Sequence, residues 1–317
     1  MDTIRVGVVG TGHLGAFHVK AYNHIKKKAG ITLTGVCDVR KKVAKELSKK
    51  YHVPYFTNHK DLLDKVDVVS IVVPTVHHHA VARDFLEAGV HVLLEKPITR
   101  TLEEADDLVG IAREKGLILQ VGHIERFNPA IRAVEPLIEK PKFIDCQRLG
   151  SIKKKSRIKD VGVVLDLMIH DIDIILGLVK SRVKSIEAVG MKTITDHEDA
   201  ANVRITFQNN VIADITASRI TREETRKIRI FQQDSYILLD FMHREAFRYM
   251  QNQESPNEEK IRIKKKDALQ VELKSFIDCV RNDKDPIVSG QQGRDALEVA
   301  LKILEKIEGS VYSIQKI

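Results

Sequence analysis

A carboxylate and an imidazole stand four residues apart in Asp166-Leu167-Met168-Ile169-His170, a segment whose other side chains are apolar. On a helix this spacing places Asp166 and His170 on one face. Burying polar groups on an apolar helix costs free energy unless they are hydrogen-bonded or have a role in binding or catalysis. A functional cleft is therefore one explanation. A pair that only stabilises the helix is the other, and the two residues alone do not decide between them.

A lysine follows an apolar run in Leu94-Glu95-Lys96-Pro97. If that run is a buried parallel strand, Lys96 stands at the carboxyl edge of the sheet, where open α/β folds bind ligands. By position alone it could equally be a surface lysine. Together with His170 it supplies what hydride removal from a secondary alcohol needs, namely a base for the hydroxyl proton and positive charge near the developing alkoxide.

The segment Gly10-Thr11-Gly12-His13-Leu14-Gly15 lies between a predicted strand and a predicted helix. In that context the spacing indicates a dinucleotide-binding loop. Gly10 would permit the tight turn, Gly12 the approach of a pyrophosphate, and Gly15 the close packing of helix on strand. A glycine-rich turn without a ligand is the weaker alternative, because an acid also follows the second strand.

That acid is Asp38, which would accept hydrogen bonds from the ribose hydroxyls and repel the 2′-phosphate of NADP. NAD is therefore the expected cofactor, and NADP stays less favoured because Arg40 and Lys41 could pair with a phosphate. The remaining predicted cofactor contacts are Pro74, Thr75, His78, Glu95 and Lys96.

The segment Gly122-His123-Ile124-Glu125-Arg126-Phe127-Asn128-Pro129 follows the last predicted parallel strand, a common place for substrate contacts. Arg126 and Asn128 are its predicted substrate-binding residues, and an ordinary linker is the alternative.

No metal site is predicted, because the consecutive histidines at 77–79 diverge on a helix and hydride transfer to nicotinamide requires no metal.

The pattern of residues 4–122 alternates short β-branched runs with amphipathic segments, which predicts a parallel sheet with crossover helices. Strands are predicted at 4–9, 32–37, 54–56, 68–72, 91–94 and 118–121, and helices at 14–27, 41–51, 78–88 and 102–115. This is a doubly wound Rossmann sheet in an α/β fold.

Beyond residue 123 the pattern changes to one of strands with few helices between them. Helices are predicted after Pro129 and over 163–179, 269–281 and 293–307, strands at 143–149, 203–207, 211–215, 228–231 and 236–239, and a loop at 251–260. The alternation indicates an α+β domain with a large, mostly antiparallel sheet, one face of which is left for a partner. Two domains, 1–123 and 124–317, are predicted, and the last helix is expected to pack back on the first.

The composition limits the class of protein. The chain has 317 residues, 43% hydrophobic and 30% charged, and lacks the run of roughly 18 apolar residues that a membrane span needs. A strand-like start and three dispersed cysteines, Cys37, Cys146 and Cys279, favour the reducing cytoplasm. The net charge of +8 is scattered and tryptophan is absent, so nucleic acid is not an expected partner. A basic cleft would instead suit an anionic small substrate.

Taken together, the glycine loop, Glu95-Lys96-Pro97, and Asp166 with His170 resemble the Gfo/Idh/MocA oxidoreductase family over essentially the full length. The resemblance implies a dinucleotide in the first domain, Lys96 at the substrate and nicotinamide ribose, Asp166 orienting substrate hydroxyls, and His170 as the acid–base residue. It also implies a cis bond before Pro97 and a homodimer or homotetramer formed through the open sheet.

Within the family, segments 122–129 and 163–173 resemble the UDP-N-acetylglucosamine 3-dehydrogenases, whose 3-keto sugar nucleotide passes to a 3-aminotransferase for lipid A. A basic segment from Arg148 through Lys153, Lys154, Lys155, Arg157 and Lys159 could then face the diphosphate, although Ser151-Ile152-Lys153 replaces that subgroup's Pro-Phe-Pro type turn. Two alternatives stay open. One is a dehydrogenase of inositol, glucose or another free polyol, and the other is a non-catalytic dinucleotide sensor.

Overall fold

The computed structural model describes residues 3–151, 161–251 and 256–309, which fall into two compact units. The first unit contains the described residues up to Phe127 together with Lys266–Asp295. The second contains the described residues of Asn128–Lys265 and those from Ala296 onward. No helix within the described ranges is long and apolar enough to cross a membrane.

The first unit is built on a six-stranded parallel sheet of order β3-β2-β1-β4-β5-β6. Its strands are β1 (Ile4–Val9), β2 (Ile31–Cys37), β3 (Tyr55–Phe56), β4 (Val68–Ile71), β5 (His91–Glu95) and β6 (Leu119–Gly122). Its crossover helices are α1 (His13–Ala29), α2 (Lys41–Tyr51), α3 (His78–Glu87) and α4 (Leu102–Glu114). The strand order reverses between β1 and β4, and the crevice at that point is where doubly wound sheets bind nucleotides.

Helix α7 (Ala268–Asn282) also belongs to the first unit, although it comes late in the chain. Its buried side chains Leu273, Phe276 and Ile277 share a hydrophobic core with Val6 and Tyr22. The first unit therefore contains two segments, 124–127 and 266–295, that lie outside the predicted domain 1–123. The helix that packs back is α7 with the start of α8 (Gly290–Gly309), rather than the whole last helix.

The second unit contains an eight-stranded sheet of order β14-β13-β12-β11-β7-β10-β9-β8. The strands are β7 (Pro141–Ser151), β8 (Val183–Met191), β9 (Ala200–Phe207), β10 (Ile212–Thr221), β11 (Thr225–Gln232), β12 (Ser235–Asp240), β13 (Glu245–Gln251) and β14 (Pro256–Lys260). The described pairs are antiparallel except for β7 with β10. Helix α5 (Pro129–Val134) precedes the sheet, and α6 (Ile169–Val179) follows directly on a π-helical turn, Val164–Met168.

The predicted fold class is confirmed, with corrections at the sheet edges. The segment 251–260, predicted as a loop, includes the end of β13 and the whole of β14. Strands β8 and β13 were not predicted either. The edge strands β8 and β14 carry polar residues, and β14 also has a proline at its first position, so their apolar alternation is weak.

One face of this sheet forms a core with α6 and the second part of α8, including Ile172, Ile175 and Ile303. The other face carries cross-strand ion pairs, such as Arg204 with Asp214 at 2.7 Å. A row of tilted aromatic rings in contact also lies on four neighbouring strands: Phe143 on β7, Phe231 on β11, Tyr236 on β12, and Tyr249 and Phe247 on β13. The sheet therefore separates an apolar core from a polar and aromatic face.

Candidate active site

The glycine loop connects β1 to α1 and is shaped by two glycines that cannot be replaced without moving backbone. Gly10 has a φ of +87°, and a Cβ there would lie 2.3 Å from the carbonyl oxygen of Val72. A Cβ on Gly15 would lie 1.8 Å from the Gly10 oxygen. At Gly12 the added atom would meet only the exposed Arg40 guanidinium, at 3.4 Å. The loop thus has no space for a side chain at Gly10 or Gly15, but it has space at Gly12. The N-terminus of α1 favours an anion there.

Asp38 joins this loop to the segment after β2. Its carboxylate accepts hydrogen bonds from the Thr11 amide at 2.9 Å and from the Arg40 amide at 2.9 Å, and the Arg40 guanidinium donates to both oxygens. Burial alone would raise the pKa of Asp38, but the hydrogen bonds from Arg40 and Thr11 outweigh it and hold the pKa below its usual value. Asp38 therefore stays ionised at neutral pH and fixes both loops.

Three of the four exposed large apolar side chains in the described part of this unit come soon after a strand of its sheet, and the fourth, Phe17, lies on α1. Leu14 follows β1, Val39 follows β2, and Val76 follows β4, with exposures of 44%, 86% and 56%. Apolar surface beside an open glycine turn and a fixed carboxylate suits the flat faces of adenine and nicotinamide rings. The residues present therefore fit a dinucleotide.

His78 ties the loop after β4 to the loop after β5. Its ring is buried, with Nδ1 2.8 Å from the carbonyl oxygen of Pro97 and Nε2 3.0 Å from that of Val73. Burial lowers the pKa of His78, and the hydrogen bonds to the carbonyl oxygens of Pro97 and Val73 partly oppose that shift. The Lys96–Pro97 bond is cis, as the resemblance implied. Both ring nitrogens of His78 face protein carbonyls, while Pro74 and Thr75 lie nearer the surface; their contacts with a cofactor stay predictions.

A buried pair lies behind Lys96. The Nε2 atom of His18, on α1, is 3.2 Å from Glu95 Oε1, and the Lys96 amide donates to Glu95 Oε2 at 3.3 Å. The carboxyl group also packs on Gly122, where a Cβ would lie 2.9 Å from Glu95 Cδ. Glu95 therefore fixes the backbone of Lys96 from within the protein. His18 was not predicted; its signal is a polar residue on the buried face of α1, three positions after Gly15.

Two basic side chains, Lys96 and Arg126, lie in the segments that follow β5 and β6. His123, which follows β6, is fully buried, and its pKa is lowered to about 3 by burial and by the charges of Lys96 and Arg126. Lys96 and Arg126 therefore act on the same region of the first unit. Such a region favours an anionic group or a developing alkoxide.

His123 should make the protein sensitive to acid. The unfolded chain binds the imidazole proton below about pH 6.5, whereas the folded protein does so only near its pKa of about 3, so stability is complete above 6.5 and falls as the pH decreases. Between pH 6.5 and 4.5 wild type should lose about 2 kcal/mol more unfolding free energy than His123→Gln. Urea unfolding across this range measures the difference. His24→Gln, at an exposed site, is the control, and parallel curves for wild type and His123→Gln would refute the expectation.

In the second unit, Asp166 lies in the π-helical turn and His170 in the first turn of α6. Both side chains are partly buried. The sequence predicted an unbroken α-helix, and the wider turn is the correction. Isolated π-helical turns occur often at functional sites.

Asn128 begins α5, where its side-chain oxygen accepts a hydrogen bond from the Ala130 amide at 3.0 Å.

Arg148 does not have the predicted role of facing a diphosphate. It is buried on β7, and its guanidinium donates two hydrogen bonds of 2.8 Å to Asp171 on α6. The pair anchors the helix that carries His170. The other members of the predicted basic segment lie outside the described residues: Lys153, Lys154, Lys155, Arg157 and Lys159.

These features define a class of protein. The first unit holds the glycine loop, Asp38, Arg40, Lys96 and Arg126, and the second holds Asp166, His170 and Asn128. Within the described ranges no group of three or more His, Cys, Asp or Glu side chains is arranged to hold a metal. A doubly wound sheet with this loop, followed by a second unit that carries the predicted acid–base residues, is typical of a dinucleotide-dependent oxidoreductase.

Comparisons with known proteins identify the family. A model described as "Oxidoreductase family, NAD-binding Rossmann fold" matches residues 4–123, and the GFO/IDH/MocA C-terminal domain matches residues 143–237. UDP-N-acetylglucosamine 3-dehydrogenase from Acidithiobacillus ferrooxidans is 36% identical, with 97% of this chain and 98% of the relative covered. The chain belongs to the Gfo/Idh/MocA family and is a NAD-binding oxidoreductase.

Two solved structures and a second relative extend the comparison. A solved structure of the Acidithiobacillus enzyme superimposes with a TM-score of 0.91 at 37% identity, covering 98% of this chain and 99% of that one. The scyllo-inositol 2-dehydrogenase (NAD(+)) of Bacillus subtilis is 27% identical, with 94% and 92% of the two chains covered. Levoglucosan dehydrogenase, solved with NADH and levoglucosan, shares the fold at 18% identity and a TM-score of 0.88, covering 97% and 98%.

Proposed function

We propose that this dehydrogenase oxidises the 3-hydroxyl of UDP-N-acetylglucosamine to the 3-keto sugar nucleotide, in the pathway to lipid A. The observation that carries the proposal is the 36% identity to a UDP-N-acetylglucosamine 3-dehydrogenase over 97% of the chain. The positive charge of Lys96 and Arg126 supports an anionic substrate.

Each candidate residue has a role in this reaction. Lys96 holds positive charge where the alkoxide develops, Asp166 orients the sugar hydroxyls, and His170 accepts the hydroxyl proton. NAD, when bound, supplies the hydride acceptor. Gly12 and the start of α1 would hold its pyrophosphate, and the segment Asp38 to Arg40 its adenosine ribose. Arg126 and Asn128 complete the proposed substrate contacts.

The preference for NAD over NADP is proposed to depend on Asp38 and Arg40. Asp38→Ala removes the negative charge and releases Arg40, whose side chain is 64% exposed, to pair with a 2′-phosphate. We expect the ratio of kcat/KM for NAD to that for NADP to fall about tenfold. Arg40→Ala should not lower this ratio, because it removes the phosphate partner. An unchanged ratio in Asp38→Ala would mean that the ribose site lies elsewhere.

The proposed setting of the enzyme follows the resemblance. We propose a homodimer or homotetramer that associates through the polar and aromatic face of the eight-stranded sheet, in the cytoplasm. A 3-aminotransferase would consume the ketone. Neither nucleic acid nor a membrane surface is needed for this function.

The first experiment mixes purified protein, NAD and UDP-N-acetylglucosamine, with and without a 3-aminotransferase and an amino donor, and follows NADH absorbance. Formation of NADH specific to the sugar nucleotide supports the proposal. Reduction with free inositol or glucose instead would favour the second candidate, a polyol dehydrogenase, which the 27% identity to scyllo-inositol 2-dehydrogenase supports. Dinucleotide binding without turnover of any hydroxyl substrate would favour a sensor.

A further inference from the structure

A buried acidic residue from a connection between two strands holds the start of the segment that carries Asp166. Glu198 lies between β8 and β9 and is 6% exposed. Its side-chain Oε1 accepts a hydrogen bond from the Val164 amide at 3.0 Å, and its main-chain oxygen accepts one from the Val163 amide at 2.9 Å. These amides open the π-helical turn, and the first amides of a helix have no partner within it. Glu198 therefore supplies the acceptor oxygens that a preceding helical turn would otherwise provide.

The position of Glu198 is fixed by hydrogen bonds of its neighbours. The next residue, Asp199, is fully buried and accepts hydrogen bonds from the amides of Thr193, Ile194 and Thr195 at 2.8, 2.7 and 3.0 Å. Arg219 on β10 donates to the Val161 carbonyl oxygen at 2.7 Å, and its Nε lies 3.9 Å from Asp199. Arg219 thus connects Asp199 to Val161, which lies just before the π-helical turn.

We infer that Glu198 is a positioning residue that sets the placement of Asp166 and His170. This inference rests on the proposed function of those two residues. Asp166 lies two residues after the amide that Glu198 holds, and its own amide donates to the Gly162 oxygen at 3.1 Å. A shift at the start of the π-helical turn would also move Asp166 and His170, because the turn continues directly into α6. A misplacement of about 1 Å at a reacting group can lower a rate by a factor on the order of a hundred.

Gly162 provides an independent test of this arrangement. A Cβ added there would lie 1.8 Å from Glu198 Oε1 and 2.0 Å from Glu198 Cδ. Gly162→Ala must therefore displace the carboxyl group, although Glu198 itself is unchanged. Gly110→Ala is the matched control, because a Cβ at that helical glycine meets no atom within 4 Å.

The experiment compares Glu198→Ala, Glu198→Gln, Gly162→Ala and Gly110→Ala in the full-length protein with NAD and UDP-N-acetylglucosamine. Glu198→Ala and Gly162→Ala should lower kcat by at least about tenfold and leave the Kd for NAD within about twofold, because NAD binds the other unit. Glu198→Gln keeps an acceptor oxygen and should stay within about threefold of wild type. A wild-type kcat in Glu198→Ala, or a glutamine variant as poor as alanine, would overturn the inference.

Hydrogen–deuterium exchange of residues 163–170 separates this inference from the proposed function. Faster exchange in Glu198→Ala and Gly162→Ala, but not in Glu198→Gln, is expected whatever the substrate. If wild type oxidises no hydroxyl substrate, the proposed function fails while the exchange still tests the positioning. Exchange equal to wild type in Glu198→Ala would overturn the role of Glu198.

Discussion

Lys96→Met is expected to lower kcat by at least about a hundredfold while the Kd for NAD stays within about threefold. Methionine keeps much of the length of lysine and removes the charge that we propose stabilises the developing alkoxide. The pyrophosphate and adenosine ribose are assigned to other residues, Gly12 and Asp38, so binding of the dinucleotide should persist. Steady-state kinetics and titration of NAD measure the two quantities separately.

A second readout of this variant comes from His123. The charge of Lys96 contributes to the low pKa of that ring, so its pKa should rise above about 3 when the charge is removed. NMR titration of the imidazole would show the shift. Lys115→Met, at an exposed lysine after α4, is the control and should change neither kcat nor the His123 titration. Wild-type turnover in Lys96→Met would exclude Lys96 from the chemistry.

Gly15→Ala is expected to lower the unfolding free energy by about 3 kcal/mol or more and to abolish NAD binding. The added Cβ would lie 1.8 Å from the Gly10 carbonyl oxygen, which is backbone and cannot rotate away. Helix α1 must therefore move off β1, and the turn between them opens. Urea unfolding and NAD titration of the same preparation measure both effects.

Gly12→Ala is the matched comparison within the same loop. Its Cβ would meet only the flexible Arg40 guanidinium, so the unfolding free energy should stay within about 1 kcal/mol of wild type. NAD binding should nevertheless weaken by about tenfold or more, because the methyl group stands where the pyrophosphate would approach. A stable Gly15→Ala variant with normal NAD affinity would show that this loop does not form the cofactor site.

The parallel strands were predictable from the sequence within a few residues. Strands such as Val68–Ile71 and His91–Glu95 are buried on both faces, so their continuous apolar runs stand out from the amphipathic helices between them. Strands β8, β13 and β14 have at least one polar face or lie at an edge, and their pairing depends on neighbours distant in sequence. The π-helical turn was not predictable, because its apolar pattern is compatible with an α-helix.

The sequence by itself determined which residues are candidates for the chemistry, because their spacing along the chain predicts it. These are the glycine loop, Lys96 after its strand, and Asp166 with His170, each recognisable within a few neighbouring positions. Only the tertiary structure decided what supports them. Glu95 meets His18 across 77 residues, Val164 meets Glu198 across 34, and Arg148 meets Asp171 across 23. Such contacts depend on strand order and helix packing, which bring distant segments together, and no local spacing encodes them.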